Sequence, residues 1–166
     1  MRNSIVLLFL ISVSVFVYAG GTPDFVTFPE DYKSSYILYH TQNRANNKQV
    51  ADFYANKQAV ESIKNGELAD GSVVVMEVYK PELDEAGKPV AGVDGLFKKS
   101  KLAAIAVMEK RSNWGDQFSA EDRTGNWGYA IYDAKGSIKE NNLDCVSCHK
   151  PLEKEEFLFT FEYLGK

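Results

Sequence analysis

The chain contains two cysteines, and both fall within one pentapeptide, Cys145-Val146-Ser147-Cys148-His149. Two thiols three positions apart on a turn or short helix can each reach one vinyl group along an edge of a porphyrin. The residue directly after the second thiol then lies under the metal, where an imidazole nitrogen can ligate iron. The pattern implies one covalent haem c, tethered through Cys145 and Cys148, with His149 as the metal ligand. Other uses of these residues fit less well. A structural zinc site needs four ligands, and the whole supply of Cys and His is Cys145, Cys148, His149 and His40, at no familiar zinc spacing. A thioredoxin-like pair belongs at a strand-to-helix junction early in a βαβ unit, whereas this one sits near the C-terminus before Pro151. A plain disulfide accounts for neither the spacing nor the histidine.

Haem attachment of this kind follows export, and the N-terminus reads as a secretory signal over residues 1–19. Arg2 gives the positive start, Ile5 to Val17 an apolar run of thirteen residues, and Val17 and Ala19 the small residues of a cleavage site before Gly20. The run is shorter than the ~20 residues that span a bilayer, so no stable membrane insertion is expected after cleavage. Residues 20–166 then form one haem domain, periplasmic or otherwise exported. Losing Arg2 leaves 18 basic against 23 acidic residues, a net charge of −5, which argues against nucleic acid and anionic membranes as partners.

The elements that must position the motif are mostly extended. Ser34 to Thr41 reads as a strand, residues 42–48 as a polar loop, and Val50 to Tyr54 as a short apolar run. A helix follows, with Asn56 as N-cap, Ala59, Val60 and Ile63 on one face, and Gly66 after its end. Ser72 to Lys80 is dense in β-branched residues. Its alternation puts Val73, Val75, Glu77 and Tyr79 on one face and Val74, Met76, Val78 and Lys80 on the other, which is expected to be the drier. A loop covers Pro81 to Gly95. Leu102 to Met108 is an alanine-rich strand, whose small side chains suit a haem face or close helix packing equally. A polar loop (111–124), a strand (Asn126 to Tyr132) and a short helix (Asn141 to His149) come next. Glu156 to Tyr163 alternates, with Phe157, Phe159 and Phe161 on one side, as a haem wall or a core face. The fold class is α+β: an antiparallel β-sheet with a few helices and a C-terminal c-type haem attachment site.

The remaining nitrogen and thioether donors in residues 20–166 are His40, Met76 and Met108. If one of them ligates, the iron is closed and suits simple electron transfer. If none does, it has an open face for a small ligand.

Several blocks resemble the cytochrome P-460 family, which includes the cytochromes called c prime beta. They are Pro29-x-x-Tyr32, the stretch Asn65-Gly66-Glu67-Leu68-Ala69-Asp70-Gly71-Ser72-Val73-Val74-Val75, Gly125-Asn126-Trp127, the haem motif, and Phe157-Leu158-Phe159-Thr160. The resemblance implies a β-rich fold with helices, a His-ligated haem with an open distal face, and a homodimer. Catalytic members of that family oxidise hydroxylamine, and they carry a lysine cross-linked to the macrocycle and a distal carboxylate. The position aligned with that lysine holds Met76, and Lys80 lies four residues on, ~13 Å away along a strand. The strand Leu102 to Val107 offers no carboxylate. These departures point to the c prime beta type, with an apolar pocket for nitric oxide or carbon monoxide and with Phe53 and Met76 as its walls. Such a pocket favours neutral diatomics over anions, which pay desolvation there. The alternatives are an oxidoreductase acting on hydroxylamine or a related nitrogen compound, and a His/Met electron carrier. Activity in any of these classes would require a soluble redox partner.

Overall fold

The computed structural model describes residues 24–44, 46, 48–116 and 118–166, so the signal segment lies outside the described residues. In chain order the elements are α1 (Tyr32–Ser35), β1 (Ile37–Arg44), β2 (Gln49–Ala55), α2 (Lys57–Ser62), β3 (Val73–Pro81), β4 (Lys99–Lys110), β5 (Trp127–Tyr132) and α3 (Cys145–His149). The five strands form one sheet in the order β1-β2-β3-β4-β5, each antiparallel to the next. The α+β class expected from the sequence is the one observed.

Each face of the sheet carries its own core. One packs Val75, Ile105, Val107, Ala130 and Tyr132 beneath Val26, Tyr32, Trp114 and Phe118 from the flanking segments. The other packs Ala55, Val74, Met108, Trp127 and Tyr129 beneath Ala59 and Leu68 around α2 and Leu158 and Leu164 near the C-terminus. Cys145 and Val146 lean on this second cluster, so α3 sits on that face.

Four expectations change. Ser34 and Ser35 belong to α1, where both hydroxyls donate to the Asp31 carbonyl, and the strand begins at Ile37 instead. Gln42, Asn43 and Arg44 are strand and not loop, because Ala51, Val50 and Gln49 of β2 pair with them. The face holding Val75 and Glu77 is drier at its centre than the one holding Met76, since Val75 and Glu77 are fully buried and Met76 is only half-buried. Finally, residues 156–163 are not an extended alternating segment. Glu156 and Phe157 take left-handed φ values of 51° and 60°, and the chain then turns into a short 3₁₀ segment at Phe161–Tyr163. Leu158 and Thr160 are the buried residues here, and Phe159 is 57% exposed.

Glu77 explains the dryness of its face. Its carboxylate accepts hydrogen bonds from Tyr32 (2.6 Å), Tyr79 (2.9 Å) and Tyr54 (3.2 Å) and pairs with the Lys33 ammonium at 2.7 Å. Burial alone would raise its pKa. The bonds from Lys33, Tyr32 and Tyr79 outweigh burial and hold the carboxyl below its ordinary value. Directly opposite on β2, Asp52 is bonded to Thr41 and to the Lys99 ammonium. The Pro29-x-x-Tyr32 block now has a local reason: the Tyr32 amide bonds back to the Pro29 carbonyl at 3.2 Å, and this turn delivers the phenol to Glu77.

Candidate haem site

α3 is one turn and a half, started by Asp144, whose side chain accepts the Ser147 amide at 2.9 Å. It is shorter than the helix expected from Asn141, because residues 141–144 form no helix and lead into that cap. Pro151 closes it into a 3₁₀ segment, Lys150–Glu155. Both cysteines are free: Cys145 is half-buried and Cys148 exposed. Burial pushes the Cys145 thiol up to about 11, so it stays protonated.

His149 is set more tightly. Its Nδ1 lies 2.7 Å from the Phe157 carbonyl oxygen. A carbonyl only accepts, so Nδ1 carries the proton and Nε2 presents a bare lone pair. Burial lowers the pKa of the ring, which keeps it neutral and fit to ligate a metal, although the bond to Phe157 pulls the other way. The ring rests beside Tyr129, at 5.0 Å between centroids, with Phe159 edge-on at 5.0 Å. The Tyr129 hydroxyl is tied to Thr124.

The strand register shows what shares this face. Phe53 of β2 is directly opposite Met76 of β3, Met76 is opposite Ala106 of β4, and Ala106 is opposite Ile131 of β5. One row along, Ala51, Val78 and Ala104 line up. On the other side come Ala55, Val74, Met108 and Tyr129, the residue that supports His149. Phe53 and Met76 are therefore brought side by side, on the face that carries α3. The alanines expected in β4 divide accordingly, with Ala104 and Ala106 in the same half-buried stripe as Met76.

The other two donors are occupied. His40, in register with Phe53, stacks on Tyr163 at 3.7 Å and has Nε2 3.2 Å from the Gln42 side chain. Met108 is 8% exposed within the second core cluster. Arg44 went unremarked in the sequence because it fell in an expected loop. Burial lowers its pKa, the proximity of Cys148 partly offsets this, and its guanidinium donates to Gln49. The Phe157 carbonyl was also missed, since a backbone acceptor leaves no side-chain signature.

Two thiols, an imidazole with a free Nε2 and an adjoining apolar strip form a donor set that fits a covalently held haem. Such a set on an antiparallel sheet defines a class, the small β-rich haem proteins. Within it, the cytochrome P460 family model matches residues 29–160, and the chain belongs to that family. Membership makes it a c-type haem protein. No curated protein matches the chain significantly.

Proposed function

We propose that the chain is an exported monohaem c-type cytochrome that binds a neutral diatomic gas, nitric oxide or carbon monoxide, at an open face of its haem. In this reading Cys145 and Cys148 would hold the macrocycle, His149 Nε2 would ligate the iron, and Phe53 and Met76 would wall the pocket. The observation that carries it is the apolar stripe around Phe53 and Met76. The stripe of Ala51, Phe53, Ala55, Val74, Met76, Val78, Ala104 and Ala106 holds no carboxylate. The two buried carboxylates of β2 and β3, Asp52 and Glu77, belong to the opposite face and are committed to Lys99 and Lys33.

Haem iron supplies an electron-rich centre that binds such gases directly. The protein's own residues do the rest. The Phe157 carbonyl fixes the His149 tautomer and raises its basicity. The apolar stripe excludes water and penalises anions. Hydroxylamine oxidation would require a group to accept protons, and this stripe provides none. Met76 at the position of the family's cross-linking lysine points the same way. A soluble redox partner in the same compartment would return the iron to its ferrous state.

The test is the absorption spectrum of the reduced mature protein with and without nitric oxide. A high-spin spectrum that converts on adding the gas is expected. A low-spin spectrum indifferent to it would sink the reading and make the protein an electron carrier.

A further inference from the structure

The turn that delivers the Phe157 carbonyl to His149 is an unfavourable one. Two consecutive residues with side chains, Glu156 and Phe157, sit in the left-handed region, which L-residues avoid because Cβ crowds the following carbonyl. Such a conformation persists only where the surroundings over-determine it, and it clusters where it serves a site. The surroundings here are specific. The Glu156 carboxylate is 2.6 Å from the Lys110 ammonium, and both side chains are about four-fifths buried (18% and 20% exposed). The same ammonium donates to the Leu68 carbonyl at 2.7 Å. Lys110 is itself pinned in β4: its amide donates to Ser72 and its carbonyl accepts from Gly71. On the far side of the turn the Phe157 ring packs against Gly125, where an added Cβ would stand 3.0 Å from the ring. The Phe157 amide closes the turn onto the Leu152 carbonyl at 2.7 Å.

We propose that Lys110 and Glu156 are positioning residues for the iron ligand: their ion pair anchors the left-handed turn that holds the Phe157 carbonyl on His149 Nδ1, and so sets the donor strength of the imidazole. A hydrogen bond to Nδ1–H gives the ring partial imidazolate character. That strengthens its bond to iron and favours the ferric state. The sheet thus reaches the metal through one lysine, although Lys110 touches neither the histidine nor the macrocycle.

The inference rests on His149 as the haem ligand and is indifferent to what binds opposite. It is tested on the holoprotein by resonance Raman of the ferrous iron–histidine stretch and by redox titration, for Lys110→Met, Glu156→Gln, the double variant and Glu156→Gly. Lys110→Met and Glu156→Gln are each expected to lower the stretch and raise the reduction potential. The double variant should shift no further than the larger single one, because the two residues act as one anchor. Glycine adopts φ +51° freely, so Glu156→Gly removes the strain together with the anchor, and its stretch should lie closer to the wild type than that of Glu156→Gln. If Glu156→Gln fails to fold, Lys110→Met carries the test. Wild-type stretch and potential in folded Lys110→Met or Glu156→Gln that merely melts earlier would reduce the pair to a structural contact and overturn the proposal. If the iron proves six-coordinate, the gas-binding reading fails, while the potential still reports on the anchor.

Discussion

A buried carboxylate at the centre of a strand is costly to desolvate, and its partners decide whether it stabilises. Glu77 is fully buried, with three phenols and one ammonium around two oxygens. Removing one donor leaves lone pairs that water cannot reach. Tyr32→Phe is expected to cost about 1.5–3 kcal/mol, the range for a hydrogen bond to a charged group, read from the urea midpoint at constant slope. The pH dependence has a definite sign. The folded carboxyl titrates below its ordinary value of 4.5, so its contribution is complete above that pH and fades as acid protonates it. The stability lead of the wild type over Glu77→Gln should therefore be constant near neutrality and shrink below about pH 4.5. A lead that persists undiminished in acid would contradict this account. None of it was visible in the sequence. Alternation correctly placed Glu77 with Val73, Val75 and Tyr79, but a lone charge in a strand reads as a wet face until Tyr32 and Lys33 are known to fold back over it.

Elements were legible where local chemistry decided them. Asn56 as a helix cap, Gly66 as its stop and the β-branched run of β3 all rest on neighbours within a few residues. Asn56 does more than cap. Its Oδ1 accepts the amides of both Ala59 and Val73, and its Nδ2 donates to the Gly71 carbonyl, so one side chain joins α2 to the start of β3. Asn56→Ala should accordingly cost about 2 kcal/mol, the upper end of the capping range, in chemical denaturation. A loss of only a few tenths would mean the link to β3 contributes nothing. Elements failed where partners far along the chain decided them. Residues 42–44 are polar yet strand, because β2 offers them a ladder. Residues 156–163 alternate yet turn, because Glu156 is drawn to Lys110 and Phe157 to Gly125. At the candidate site, spacing alone singled out Cys145, Cys148 and His149, while the acceptor that orients the histidine is a main-chain oxygen that no sequence pattern marks.

At the scale of the molecule the sheet works as a partition. A meander of five antiparallel strands has two independent faces, and period-two alternation lets one strand serve both without compromise. β3 shows the principle: Val75 packs in one core and Glu77 and Tyr79 join a tyrosine-bound charge network beside it, while Val74, Met76 and Val78 belong to the apolar stripe on the side of α3. Glu77 can thus be a sequence neighbour of Met76 and still be separated from it by the thickness of the sheet. Met76 is where this arrangement meets the functional proposal, since it is the half-buried thioether of the stripe. If the sixth position is open, Met76→Ala should leave the reduced spectrum high-spin, and it should leave the binding of nitric oxide intact or faster by removing bulk beside Phe53. If Met76 is instead the sixth ligand, the wild-type protein will be low-spin and the alanine variant will turn high-spin, acquiring gas binding that the wild type lacks. The comparison of these two spectra therefore separates a pocket wall from an axial ligand, because a wall can be trimmed without changing the spin state of the iron.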